Sequence, residues 1–245
     1  MPDWLLPILA SPFIGSFLGV VIQRLPAGDD LVASRSRCNA CQRNLGVADL
    51  IPILSYLAAR GRCRHCGTPI GRFHLWIELA ALLVAVWAAT LDEGLRLWAD
   101  CVLGWTLLAA AWIDARHMIL PDVLTLPLVL AGLVFAWFLE PDAIVDHAAG
   151  AAAGWVLFWG ISRLYRWLRG RDGLGEGDAK LMAAAGAWVT WLGLGPVMLV
   201  GAVTGLVVAL AGRLRGGDLS GTTAIPFGPP LAFGIWVVWL YGAAF

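Results

Sequence analysis

The sequence predicts an all-α polytopic membrane protein with about eight transmembrane helices and a small cytoplasmic four-cysteine loop domain. Three observations lead there. Of the 245 residues, 60% are hydrophobic and only 14% are charged, whereas a soluble domain carries about 25% charged residues. Apolar runs of about 20 residues recur, each long enough to cross a hydrocarbon core of roughly 30 Å. The 14 Trp residues suit a chain with many membrane–water boundaries, where indole rings settle. The formal net charge of +0 argues against a nucleic-acid partner, and the lipid bilayer is the partner the composition implies.

The first apolar segment, residues 4–22, ends at Gln23-Arg24. It has no basic n-region, since its one early charge is Asp3, so it does not read as a cleavable signal peptide. Positive residues follow it, which predicts an uncleaved anchor with the N-terminus outside the cytoplasm. Residues 25–72 then turn polar, basic and cysteine-bearing. Their apolar middle, Leu50-Ile51-Pro52-Ile53-Leu54-Ser55-Tyr56-Leu57, is too short to span and packs on the membrane surface or against the helices.

Further spans are expected at residues 74–90, 95–113, 123–139, 143–164, 181–192, 196–213 and 225–245. The run 181–192 is short and extends back through the glycine-rich stretch before it. The last run carries Pro226, Pro229 and Pro230, so its start reads as broken or re-entrant. Threading loops alternately from an outside N-terminus puts 16 of the 17 Lys and Arg on the cytoplasmic side, leaving Arg96 outside. A bias so nearly complete fixes the topology.

The stretch Gly173-Leu174-Gly175-Glu176-Gly177-Asp178-Ala179-Lys180 runs directly into an apolar segment. An ionisable side chain where an apolar helix begins requires a partner or a function. Asp178 reads equally as a cap for that helix or as a reacting group. The same topology puts Asp114, in Trp112-Ile113-Asp114-Ala115-Arg116, at the cytoplasmic end of the third span. Two carboxylates at one membrane depth, held close, share a proton, which is the logic of an aspartic protease. Alternatives stay open: Asp114 pairing with Arg116, Glu176 competing with Asp178, and Asp122, after Pro121, serving as an N-cap. A cation carrier with acids near the bilayer centre fits less well, because these acids fall at one edge.

Cys38-Asn39-Ala40-Cys41 and Cys63-Arg64-His65-Cys66 are two C-x-x-C pairs separated by 21 residues. That spacing matches a tetrahedral four-thiolate zinc site joining two knuckles, and in a cytoplasmic loop metal binding is favoured over a disulfide. A closed four-sulfur site leaves no open coordination position, so its role is structural. His65 and His74 are spare nitrogens nearby, and Cys101, in an apolar helix, reads as a small buried hydrophobe.

Taken together, these residues resemble the type IV prepilin peptidases, membrane aspartic proteases of the GxGD type, along nearly the whole chain. The resemblance is carried in order by Ile14-Gly15-Ser16-Phe17-Leu18, Val21-Ile22-Gln23-Arg24-Leu25-Pro26, the two cysteine pairs around Ile51-Pro52-Ile53-Leu54, and Glu78. Ile113-Asp114 through Leu120-Pro121-Asp122, then Gly175-Glu176-Gly177-Asp178-Ala179-Lys180-Leu181, and finally Ile225-Pro226-Phe227-Gly228-Pro229 complete it. The resemblance implies a bifunctional enzyme of the bacterial cytoplasmic (inner) membrane, acting on type IV prepilins or type II secretion pseudopilins. It would cut a short basic leader at the cytoplasmic face with Asp114 and Asp178, then N-methylate the new terminal residue with S-adenosylmethionine. Under it, residues 1–24 are the first membrane helix, residues 25–73 a methylation-linked cysteine domain, and residues 74–245 the peptidase domain. Glu78 is the candidate for the methyl-donor region. A peptidase without methyltransferase activity is the narrower alternative.

Overall fold

A computed structural model describes residues 2–31, 36–170, 175–214 and 226–242. Arg35, Arg171, Gly173, Leu174, Arg215 and Ile225, on which parts of the sequence reading fell, lie outside the described residues. The described residues form nine α-helices and no β-strand, only two isolated antiparallel bridges in the cysteine loop. The chain divides into two compact units, Met1–Ala109 and Ala110–Phe245.

The first unit holds α1 (Leu5–Arg24), the single-turn α2 (Leu54–Ala58), α3 (Phe73–Ala88) and most of α4 (Gly94–His117). Helix α1 packs along α3 through small residues. A Cβ at Gly15 would stand 2.7 Å from the Glu78 Cα, so only glycine permits that approach. In a bilayer, where apolar surface gains nothing by leaving lipid, such close backbone packing is what joins helices. The indole N–H of Trp105 on α4 donates to the Ala81 carbonyl of α3 at 3.0 Å.

The second unit holds the end of α4 with α5 (Asp122–Leu139), α6 (Ile144–Arg169), α7 (Glu176–Val189), α8 (Leu194–Leu214) and α9 (Gly228–Tyr241). Helix α7 is its axis. Ala179 and every residue from Leu181 to Trp188 are buried, the signature of a helix surrounded on all sides. Its neighbours are α5, α6, α8 and α9. Against α6 the contact is a glycine seam: a Cβ at Gly154 or Gly186 would collide with the backbone of Met182 or Gly150. Against α5, the Trp188 indole donates to the Leu128 carbonyl at 2.9 Å.

Eight of the helices fall at the eight expected positions. Five of them (α1, α4, α5, α6 and α8) are long and apolar enough to cross a membrane. Helices α3 and α9, with 16 and 14 residues, are shorter apolar helices, and α7 has 14 residues. Helix α7 reaches back to Glu176, as the short apolar run anticipated. Of the prolines of the last run, Pro229 and Pro230 fall in the first turn of α9, where a missing N–H costs nothing, and Pro226 precedes the helix.

The seam yields a stability prediction. Gly154→Leu is expected to destabilise the detergent-solubilised protein by about 1–3 kcal/mol or more through overpacking. Gly160→Leu on the same helix, with nothing within 4 Å of its added Cβ, is expected to leave the thermal midpoint nearly unchanged.

Candidate active site

Asp114 sits in the last turn of α4 and is 6% exposed. Its Oδ2 accepts a hydrogen bond of 2.8 Å from the backbone N–H of Gly228, the first residue of α9. Glycine is required there by space. A Cβ on residue 228 would stand 2.6 Å from that same oxygen. One carboxylate oxygen is thus fixed by a backbone amide.

Asp178 is the third residue of α7, and the N-cap is Gly175. The Asp178 carboxylate reaches back to accept from the Gly175 N–H at 3.2 Å, satisfying one of the donors a helix start leaves open. It also lies close enough to Asp114 for the charge there to act on it. Of the roles the sequence left open for Asp178, the cap is the one the Gly175 bond meets. Glu176, the possible competitor, points elsewhere, lining a cavity with Trp155, Trp159 and Arg163 of α6.

Asp122 differs from expectation. It is the first helical residue of α5, and Pro121 occupies the N-cap, so Asp122 does not cap its own helix. Its Oδ1 lies 2.5 Å from Lys180 Nζ instead, tying the first turn of α5 to that of α7. The Arg116 guanidinium lies 5.5 Å from the Trp112 ring centroid. The Gly228 amide and the Lys180–Asp122 pair are the contacts that sequence reasoning missed. Their one signal was a charged or glycine residue at a helix start.

In the first unit, Cys38, Cys41, Cys63 and Cys66 place their sulfurs within 4.8 Å of one another. The two knuckles are built alike: the N–H of Gln42 donates to Cys38 O, and that of Gly67 to Cys63 O, both at 2.9 Å. Gln42 and Gly67 each take a positive φ, of 57° and 70°. Four thiolates around one ion at about 2.3 Å set neighbouring sulfurs about 3.8 Å apart. Cys38 Sγ and Cys66 Sγ are 3.8 Å apart, so the cluster fits a tetrahedral metal ion. The Thr68 hydroxyl and amide beside Cys66 bring its thiol down to about 6, favouring the thiolate a metal requires. The His74 ring faces Gly19 and lies 3.3 Å from Gln23 Nε2 on α1, away from a ligand role. Cys101 is fully buried in α4.

Glu78, on α3, is 6% exposed. Its Oε2 accepts from the Ile53 N–H at 2.7 Å, and Ser16 of α1 lies near it. Ile53 has φ 61° and ψ −55°, a conformation a β-branched residue avoids. The Glu78 bond holds the strained residue in place.

Fold and site define a class: a polytopic helical membrane protein with two anchored carboxylates in its second unit and a loop whose four cysteines could hold a metal ion. Residues 9–91 match the bacterial peptidase A24 N-terminal domain, and residues 101–210 match the type IV leader peptidase family. The chain is 37% identical over 262 residues to a prepilin leader peptidase/N-methyltransferase of Aeromonas hydrophila, covering 97% of this chain and 90% of that protein. A protein of the same name from Burkholderia pseudomallei is 39% identical over 267 residues, covering 97% and 85%. One from Pseudomonas aeruginosa is 34% identical over 263 residues, covering 96% and 89%. No solved structure matches. The chain belongs to the type IV leader peptidase family.

The cluster geometry predicts that the purified protein carries about one metal ion per chain by elemental analysis. Cys63→Ser, which removes the buried ligand, is expected to lower that content severalfold.

Proposed function

We propose that the protein cuts the basic leader from type IV prepilins or type II secretion pseudopilins and then N-methylates the new terminal residue. The observation that carries the reading is that Asp114 and Asp178, both in the second unit, are each anchored by a backbone amide, of Gly228 and of Gly175, in a chain whose relatives carry both activities in their names. Two such carboxylates share one proton. The ionised member takes a proton from a water molecule as its oxygen bonds to the scissile carbonyl carbon. The protonated member hydrogen-bonds the carbonyl oxygen as negative charge develops there. Collapse of the tetrahedral species breaks the C–N bond, and a proton passes to the leaving amine. The Gly228 N–H positions Asp114 throughout.

The site lies at the cytoplasmic face of the bacterial inner membrane in this reading, with the N-terminus periplasmic. The distribution of Lys and Arg supports that orientation. Residues 25–73 serve methylation and residues 74–245 peptide cleavage, the latter following α1 and the loop. The four cysteines hold a structural zinc ion, whose closed thiolate set suits folding of the loop. S-adenosylmethionine, when bound, supplies a methyl group to the freed amine. Among the described residues the hydrogen-bond donor to Glu78 is a neutral backbone amide, that of Ile53. Its charge is therefore complementary to a sulfonium, and Glu78 would face that cation.

Four variants test the reading. Asp114→Asn and Asp178→Asn, each alone, are expected to lower prepilin cleavage in membranes by about 10³-fold or more, since paired groups act as a unit; retained cleavage in either would remove that residue from the site. Gly228→Ala is expected to lower cleavage by displacing the Asp114 carboxylate, without loss of metal. Glu78→Gln is expected to weaken S-adenosylmethionine binding about tenfold by calorimetry, the loss of one charge contact. Unchanged affinity would place the methyl donor elsewhere.

A further inference from the structure

The apolar run in the middle of the cysteine loop lies at a depth that the packing of the first unit sets. Helix α1 has 20 residues, a length of about 30 Å that matches a hydrocarbon core, and it is long and apolar enough to cross a membrane. A Cβ at Gly15 would stand 2.7 Å from the Glu78 Cα, and one at Gly19 would stand 2.5 Å from His74 Nδ1. Helices α1 and α3 therefore run antiparallel, with Glu78 level with Gly15. Gly15 lies nine residues before Arg24, the end of α1, or about 14 Å along the helix axis. The Ile53 N–H reaches Glu78 Oε2 at 2.7 Å. Even with the glutamate extended by about 5 Å toward the start of α3, the way helical side chains lean, Ile53 lies roughly 6 Å or more inside the level of Arg24.

The side chains beside Ile53 are apolar and open. Ile51, Leu54 and Leu57 are 41%, 65% and 60% exposed, and Leu54 and Leu57 share one face of α2. Helix α3, which carries Glu78, exposes Trp76, Leu79 and Leu83 in a stripe at helical spacing. Backbone at such a depth needs partners within the protein, because lipid offers none. Pro52 has no N–H to satisfy. The amides of Leu50, Leu54, Ser55, Leu57 and Ala59 donate to the carbonyls of Val47, Pro52, Ile51, Ile53 and Ser55, and that of Ile53 donates to Glu78. We propose that residues 50–58 form a re-entrant segment, dipping into the leaflet on the side of the cysteine loop and setting Ile51, Leu54 and Leu57 among the acyl chains. The inference stands independently of the peptidase and methyltransferase readings. It gives the strained Ile53 a function: the chain reverses inside the membrane, where lipid has no acceptor for its amide and Glu78 supplies one. The cysteine loop is then held to the bilayer at its middle as well as at its two ends.

The test is photolabelling of the full-length wild-type protein in vesicles of phosphatidylethanolamine and phosphatidylglycerol. One sample receives an apolar diazirine dissolved in the bilayer and the other a charged, water-soluble diazirine. Trypsin releases peptides 44–60, 65–72 and 73–96, which are read by mass spectrometry. Removing one leucine side chain from water corresponds to a partition of about tenfold or more, so the ratio of bilayer to aqueous labelling in 44–60 is expected to exceed that in 65–72 by at least about tenfold. It is expected to approach the ratio in 73–96, which carries the exposed stripe of α3, with adducts on Leu54 and Leu57. A ratio in 44–60 equal to that in 65–72 puts the segment in water and overturns the proposal. Labelling of 44–60 by neither reagent means that protein covers this face, whether a second copy or another partner, and overturns it too.

Discussion

A carboxylate inside an apolar helical assembly persists only where neighbouring groups fix it, and here two are fixed from opposite directions. Asp114, on α4, is held by an amide at the start of α9. Asp178 is held by the amide that precedes its own helix. Neither anchor is a cation. Each carboxylate keeps its proton-binding chemistry, and Asp178 lies within reach of the charge on Asp114. That coupling depends on where α7 lies. The glycine seam with α6 and the Trp188 contact with α5 set the helix among its neighbours, and the Lys180–Asp122 pair ties down its first turn. Packing along the apolar length of α7 thus positions chemistry at its polar end.

The first unit uses a buried carboxylate differently. Glu78 accepts from a backbone amide in the loop, so one group joins α3 to the segment after the first knuckle. The left-handed conformation of Ile53 costs about 1–3 kcal/mol in isolation, and the bond from its amide offsets part of that.

Much of this was legible in the sequence, for definite reasons. The helices announce themselves because apolar runs of bilayer length have few other outcomes. Asp114 and Asp178 stand out because charge is rare in such runs, and the cysteine pairs because thiolate spacing reports metal geometry directly. What stayed hidden depends on contacts between distant residues. The Gly228 amide reaches Asp114 across 114 positions, and a backbone donor leaves no residue-type signal. Asp122 follows a proline at a helix start, which local rules read as a cap; its partner Lys180 is set by the packing of α5 on α7. The conformation of Ile53 contradicts the local preference of its side chain, and only the long-range bond to Glu78 accounts for it.

The central claim is that Asp114 and Asp178 work as a single proton-sharing unit. A double-mutant cycle on prepilin cleavage tests it most directly, comparing Asp114→Asn, Asp178→Asn and the combined variant in the same membranes. Groups that act only together lose their whole contribution when either is removed, so the combined variant should cleave no more slowly than the worse of the two single variants. If the two losses instead multiply, the carboxylates contribute independently and the shared-proton account is contradicted.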